Sequence, residues 1–380
     1  MEPYKIIVDQ SVLDDLSKRL KRTRWTNQED SIGWDHGTNL AYLKEFTSYW
    51  LNNYNWRSEE ARLNSFSWYT ADVSGQNVKF IYEKGKGLNS LPILLLHGWP
   101  DSVMRYVKLI PMLTDPKKFG FSADQSFDVV VPSFIGGFSE TSKPPSDHEI
   151  GDMAETCWQL MTQVLGYDKF IAGGGDGGSP IAQCIGVSHP ESILGLHLTD
   201  IGWHTSMRDK SDLNENEIQY LQSLEYMGFS EGAYAMVQGS IPQTLGLGLN
   251  DSPVGMAAWI IEKFRSWSDC NGNIESIYTK DELITNIMLY WLKNSVKSFS
   301  YKEEFINMSL KPDQEVNVPV ALAFPPNDLG KDITPREFAE RNLKDIRQWN
   351  VLEKGGHFVA MEYPELLASD ILSFSKEVVM

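Results

Sequence analysis

The chain has 380 residues and a formal net charge of −17 at pH 7. That charge opposes association with nucleic acid or an anionic membrane surface, since long-range repulsion acts against both. Hydrophobic residues make up 42% and charged residues 22%, which excludes a disordered chain and allows one large core with insertions.

In chain order, the first ninety residues read as helical and aromatic. Ser11 can cap a helix whose apolar positions Val12, Leu13, Leu16 and Leu20 recur at helical spacing. The basic run 18–24 lies on this helix and reads as its solvated face. A second helix starts near Asn39 and sets Leu43, Phe46 and Trp50 on one side, while Trp56, Phe66, Trp68 and Tyr69 read as packing residues. Strands follow at 78–82, 92–96, 127–131 and 169–172, with helices at 150–165 and 180–188. Further strands fit at 195–198, 318–324 and 349–352. This alternation predicts an α/β fold: an open, mostly parallel sheet with helices on both faces. From about 204 to 311 the pattern is helical throughout. Such an insertion between two strands predicts a lid over the strand C-terminal ends, where open α/β sheets bind ligands. The expected organisation is an N-terminal helical extension over 1–88 that leads into the first strands, a core over 89–203 and 312–380, and a lid over 204–311.

Cys157, Cys184 and Cys270 are far apart and lack metal or disulfide spacing, so each reads as a small buried hydrophobe. The N-terminus has no apolar signal region, and the apolar run 91–96 is too short to span a bilayer. A cytoplasmic location is expected.

The most informative segment is Gly173-Gly174-Gly175-Asp176-Gly177-Gly178-Ser179-Pro180. A strand enters a glycine-rich turn and leaves as a helix, the pattern of a nucleophile elbow with Asp176 in the nucleophile position. The turn strains the nucleophile's backbone, and only small residues at Gly174 and Gly178 let strand and helix approach so closely. Phosphate binding by this loop is disfavoured, because its glycine spacing does not fit a dinucleotide motif and Asp176 would repel the anion. In elbow chemistry one oxyanion-hole N–H follows the nucleophile, here Gly177, and the other comes from the loop after an earlier strand, here Trp99 in His97-Gly98-Trp99-Pro100. Pro100 can stiffen that loop through a cis bond. His97 reads as structural.

Nucleophile, acid and histidine follow in that chain order in such hydrolases, which points to His357 in Gly355-Gly356-His357-Phe358 as the base. His36, His148, His189, His197 and His204 lack a comparable setting. The acid should follow the strand 318–324, making Asp328 the first candidate and Asp200, at an earlier strand end, the alternative.

Together these segments resemble the microsomal-type epoxide hydrolases of the α/β-hydrolase fold, over nearly the whole chain. Arg22-Thr23-Arg24-Trp25, Tyr49-Trp50, Tyr54-Asn55-Trp56-Arg57 and Leu63-Asn64 look like that family's N-terminal extension. His97-Gly98-Trp99-Pro100-Asp101-Ser102 and Gly355-Gly356-His357-Phe358 match it closely. Asn250-Asp251-Ser252-Pro253-Val254-Gly255 and Asn286-Ile287-Met288-Leu289-Tyr290-Trp291 look like its lid helices. The resemblance implies that Tyr234 and Tyr301 are the pair that hydrogen-bonds the epoxide oxygen. Three departures stand out: Gly177 where the family often has Trp, an extra residue between Pro325 and Asp328, and the altered loop 133–139.

The expected reaction is conversion of a hydrophobic epoxide to a vicinal diol through an ester on Asp176, hydrolysed by water that His357 activates. The expected partners are the small epoxide and water, with no cofactor, metal, nucleic acid or membrane anchor, and a homo-oligomer is not excluded. A haloalkane dehalogenase is the nearest rival, but Gly177 offers no indole N–H for a halide. A serine esterase is disfavoured by Asp176. A ligand receptor on a hydrolase scaffold would be expected to lack at least one of these catalytic groups.

Overall fold

The computed structural model describes residues 1–27, 29–87, 90–122, 125–133, 140–141, 150–293, 310–329 and 333–379. Its centre is a ten-stranded sheet of β1 (Glu2–Pro3), β2 (Trp68–Val73), β3 (Gln76–Glu83), β4 (Leu91–Leu96), β5 (Phe127–Pro132), β6 (Glu140–Thr141), β7 (Phe170–Gly174), β8 (Ile193–Leu198), β9 (Val316–Phe324) and β10 (Leu343–Val351). The spatial order is β1-β2-β3-β5-β4-β7-β8-β9-β10, with β6 beside β3. From β5 to β10 the neighbours run parallel; at the N-terminal edge they run antiparallel. This is the open, mostly parallel sheet expected from the strand–helix alternation.

Before and between the strands lie α1 (Gln10–Lys21), α2 (Leu40–Asn52), α3 (Trp56–Leu63), α4 (Leu109–Thr114), α5 (Ile150–Gln159) and α6 (Gly178–Ser188). Between β8 and β9 come α7 (Glu215–Glu231), α8 (Ala233–Ser240), α9 (Pro242–Asp251), α10 (Pro253–Trp267) and α11 (Lys280–Trp291), with no strand among the described residues. The chain ends with α12 (Arg336–Glu340), α13 (Val359–Glu362) and α14 (Pro364–Val379). Among the described residues no helix is long and apolar enough to cross a membrane.

The central strands are unbroken apolar runs because both faces are covered. In β4, Ile93 and Leu95 enter one cluster with α1, α2, α10, α11 and α14. Leu94 and Leu96 enter the other, with α5 and α6.

The structure differs from the sequence reading at several places. The first ninety residues hold β1 and β2 as well as helices. β2 turns into β3 through Ser74 and Gly75, both at positive φ (52° and 82°), the geometry of a tight two-residue hairpin. The Ser-Gly pair is the signal that the aromatic reading of this stretch passed over. The first helix begins at Gln10 with Asp9 at the cap position, so Ser11 lies inside it. Asn39 does cap α2, its side chain accepting from Tyr42 N at 2.8 Å. The helix expected over 150–165 is α-helical to Gln159 and ends as a π-turn over Leu160–Val164. β10 begins at Leu343, earlier than the expected 349. Lys344, Asp345 and Arg347 hid it, and an edge strand tolerates such charges on its open side.

The topology places the cleft. After β4 the chain moves to one side of the sheet, to β5; after β7 it moves to the other, to β8, β9 and β10. The strand order therefore reverses between β4 and β7, which pair with Leu96 opposite Gly174. A ligand crevice opens at the carboxyl ends of such a pair. The turn after β7 is held close to β4: a Cβ on Gly178 would lie 2.0 Å from Leu96 O, and one on Gly174 would lie 2.6 Å from the Gly178 carbonyl. Gly178→Ala should therefore cost about 1–3 kcal/mol through overpacking against backbone. Urea denaturation checks this, and an unchanged midpoint with an unchanged slope would count against it.

Candidate active site

Asp176 sits at the turn between β7 and α6 with φ 54°, a left-handed conformation that a residue with a side chain enters at a cost of about 1–3 kcal/mol. The turn points its carboxylate into the crevice. Oδ1 accepts the backbone N–H of Trp99 at 3.0 Å and of Gly177 at 2.7 Å. These are the two donors expected from the sequence, converging on one oxygen. The approach requires Gly98, where a Cβ would lie 2.0 Å from Asp176 Oδ1. The Trp99–Pro100 peptide bond is cis.

The other oxygen, Oδ2, lies 3.0 Å from His357 Nε2, and His357 Nδ1 lies 2.8 Å from Asp328 Oδ1. Burial disfavours the charged imidazole. The charge of Asp328 and the hydrogen bonds of Asp176 and Asp328 outweigh that penalty and push the His357 pKa up to about 10. The extra residue before Asp328 does not displace it. Asn327 pairs with the histidine loop, its N–H donating to Gly355 O at 3.0 Å, and so carries Asp328 to the imidazole.

Asp200, the alternative acid, does something else. Its Oδ2 accepts the backbone N–H of Asp176 at 2.9 Å and its Oδ1 that of Gly202 at 2.8 Å. Burial and the nearby Asp328 push its pKa up to about 6, against the pull of His357 and the two N–H groups. Asp200 thus braces the elbow, and the imidazole bonds to Asp328.

The cleft beside these groups is a cavity of about 390 Å³ lined by Asp176, Asp200, Asp328 and His357 and by apolar groups including Trp203, Leu224, Met227, Tyr234, Trp267 and Ile333. Tyr234, at the start of α8, stacks on Trp99 with ring centroids 4.7 Å apart and planes 13° apart. Lys263 Nζ lies 5.5 Å from its ring centroid. Tyr301, the other half of the expected pair, lies outside the described residues, as do residues 134–139 of the altered loop.

Other expected bystanders behave as such. His97 is buried, with Nδ1 3.1 Å from Gly98 O. His197 bonds Asp370 at 2.7 Å and His189 bonds Glu155 at 2.8 Å. His204 is buried, which pulls its pKa down to about 4, and His36 is exposed. His148 is outside the described residues. All three cysteines are buried.

Sequence reasoning missed the groups beneath the cleft. Asp101 and Arg105 form an ion pair with both side chains buried. Asp101 Oδ1 also accepts Gly98 N at 2.9 Å, and Arg105 Nη2 donates to His357 O at 2.8 Å. From α11, Asn286 Nδ2 donates to Pro100 O at 2.8 Å, and the Tyr290 hydroxyl donates to Asp101 O. The one available signal was the acid–base pair at i and i+4 after the His97 motif.

The chain is similar to known proteins over nearly its whole length. A sequence family described as the epoxide hydrolase N terminus matches residues 1–106, and the alpha/beta hydrolase fold matches 92–229. Epoxide hydrolase 1 of Sus scrofa is 32% identical over 404 residues, covering 98% of this chain and 88% of that protein. Juvenile hormone epoxide hydrolase 2 of Ctenocephalides felis is 32% identical, covering 100% and 86%. Among solved structures, the juvenile hormone epoxide hydrolase of the silkworm Bombyx mori superposes with a TM-score of 0.87 at 27% identity, covering 99% and 94%. The Aspergillus niger epoxide hydrolase does so with a TM-score of 0.82 at 27% identity, covering 99% and 96%. With the likeness spanning the N-terminal extension, the sheet and the helical insertion alike, this chain belongs to the epoxide hydrolase family.

Proposed function

We propose that the enzyme opens a hydrophobic epoxide to a vicinal diol in two steps, through an ester on Asp176. The observation that carries this reading is the division of labour on one carboxylate: Oδ1 rests on the N–H groups of Trp99 and Gly177, and Oδ2 faces His357. Oδ2 is then the attacking atom. It forms a bond to an epoxide carbon as that carbon's bond to the ring oxygen breaks. A hydrogen bond from Tyr234, and from Tyr301, offsets the charge that develops on the leaving oxygen, which becomes a hydroxyl with the proton that the His357 imidazolium gives up once the ester has formed. The insertion over 204–311 acts as the lid that brings Tyr234 over the cleft.

Ester formation neutralises Asp176 and so removes one of the two carboxylates that hold His357 protonated. The imidazole can then release its proton and act as a base, with Asp328 fixing its orientation. It takes a proton from water, whose oxygen attacks Asp176 Cγ. Trp99 N–H and Gly177 N–H already surround the oxygen that becomes negative in the tetrahedral intermediate. Collapse breaks the Cγ–Oδ2 bond and releases the diol. The apolar walls, Trp203, Leu224, Met227 and Ile333 among them, favour a hydrophobic substrate.

The decisive experiment is one turnover of styrene oxide in ¹⁸O-water with enzyme in excess. The diol should carry no label and the Asp176 peptide should carry one, because the oxygen leaving with the diol is Oδ2. Label in the diol with none in Asp176 would mean direct attack by water. His357→Gln should still form the ester but hydrolyse it about 10²–10⁴-fold more slowly, so that the alkylated Asp176 peptide accumulates in mass spectra. An inactive variant without adduct would contradict the assigned base.

Tyr234→Phe should slow ester formation roughly 10²-fold while leaving hydrolysis of a formed ester unchanged in stopped-flow traces. Equal slowing of both steps would remove Tyr234 from ring opening. The raised His357 pKa has its own consequence for stability. The native state favours the imidazolium, so this stabilisation is complete below the unfolded value of about 6.5 and is lost as pH rises toward about 10. Asp328→Asn removes the charge that supports it, so NMR of the His357 ring should show titration at lower pH. An unmoved titration would show that Asp328 does not govern the base.

A further inference from the structure

Glu362 ends the short helix α13 and takes no part in the chemistry above, yet it is a carboxylate with only 9% of its surface exposed. Among the described residues no lysine or arginine pairs with it. Its partners are three backbone donors. Oε2 accepts Gly356 N–H at 3.0 Å and Asp269 N–H at 2.8 Å, and Oε1 accepts Phe358 N–H at 2.9 Å. Gly356 and Phe358 flank His357. Asp269 lies just past α10, in the helical insertion, and its own carboxylate accepts Gly355 N–H at 3.0 Å. The N–H of His357 itself donates to Trp267 O at 2.8 Å. These segments touch so closely that a Cβ on Gly356 would lie 2.6 Å from both Asp269 N and Trp267 O.

We propose that Glu362 is a positioning residue for the base: its carboxylate grips the backbone on both sides of His357, joins it to the end of α10, and so holds the imidazole in line with Asp176. The inference rests on the reading of His357 as the base that hydrolyses the Asp176 ester.

The chemistry of the clamp favours the ionised acid. Three N–H groups converge on two oxygens, which an acceptor-only carboxylate satisfies and a hydrogen on Oε2 would oppose. A glutamine satisfies one oxygen position and turns an N–H against an N–H at the other. Burial pushes the Glu362 pKa up to about 7; the three N–H groups pull it back, and Asp328 adds to the rise. A raised carboxyl pKa means that the native state takes up a proton which the unfolded state releases. Above about pH 4.5 the folded form therefore loses stability until the group ionises near 7. The charged clamp thus works against folding stability, as expected of a group retained for geometry at the site. Groups facing it from the surrounding elements are Asp269 and Cys270 after α10, Tyr278 before α11, Asp328 after β9, His357 with Arg105 behind its carbonyl, and Tyr363.

The test is single-turnover kinetics with styrene oxide, following ester formation and ester hydrolysis separately in wild type, Glu362→Gln and Glu362→Asp. Ester formation depends on Asp176, Trp99 and Gly177 and also reports a folded site. Glu362→Gln should form the ester within about threefold of the wild-type rate and hydrolyse it at least tenfold more slowly. Its hydrolysis should no longer fall with the group titrating near pH 7. Hydrolysis at the wild-type rate with the same acid limb overturns the proposal. Should Glu362→Gln form no ester, Glu362→Asp decides. Its shorter carboxylate cannot reach all three donors, so slowed hydrolysis after a normal ester-formation phase supports the clamp, and wild-type hydrolysis overturns it. If wild-type enzyme turns over styrene oxide without any ester on Asp176, the underlying mechanism fails instead, and that result is read in the wild type alone.

Discussion

The Asp101–Arg105 ion pair lies beneath the cleft, with 0% and 1% of its residues' surfaces exposed. A charge that deep is tolerated only when paired and fully hydrogen-bonded. Asp101 is held down to about 2 because Arg105 and His97 outweigh the burial that would raise it. The two partners spend their remaining bonding capacity on the catalytic loops. Asp101 takes Gly98 N–H and thereby shapes the turn that presents Trp99 N–H to Asp176. Arg105 reaches the carbonyl of His357. Removing either partner leaves the other buried and unpaired, a penalty of about 3–5 kcal/mol. It would also release the loop that presents Trp99 N–H and the loop that carries His357. Because α11 caps the same pair through Tyr290, and the Pro100 carbonyl through Asn286, the helical insertion is tied to this floor too.

Above the floor, three carboxylates crowd one imidazole, and their roles separate by what each one touches. Asp176 faces two N–H donors and His357. Asp328 faces Nδ1. Asp200 faces the elbow backbone, and burial with the charge of Asp328 pushes its pKa up to about 6. Placement of Asp200 against Asp176 N–H also offsets part of the strain of the left-handed turn. Both Asp200 oxygens are engaged by backbone N–H groups of the elbow and of Gly202, while His357 Nδ1 bonds Asp328.

Much of this was legible in the sequence, for reasons that can be named. The elbow was readable because Gly174 and Gly178 are demanded by contacts of 2.6 and 2.0 Å that no side chain survives. The covered strands were readable because they are apolar on both faces. What escaped were features set by long-range contacts. Nothing local marks Glu362, whose partners are backbone atoms that any residue supplies, and only the i,i+4 spacing from Asp101 marks Arg105, whose bond to the His357 carbonyl reaches far along the chain. β10 escaped because an edge strand can carry charge, and β2 because its aromatics suit a helix as well as a strand. The choice between Asp328 and Asp200 depended on a loop whose extra residue is absorbed by the Asn327 pairing with the histidine loop, a contact across two separate strand ends.

In the two-step reaction proposed above, the charges also impose an order on the chemistry. While Asp176 is anionic, His357 is held as an imidazolium between two carboxylates and cannot accept a proton. Water in the resting site therefore meets no base. Only alkylation of Asp176 removes one of those charges, and with it the main hydrogen-bond partner of Nε2. The base is thus created by the first step and destroyed by the second, when hydrolysis restores the carboxylate. An arrangement with a permanently neutral histidine would activate water before the ester exists. On that proposal, the depth of the site and the pairing of His357 with two acids, rather than any single residue's reactivity, keep attack by Asp176 ahead of attack by water.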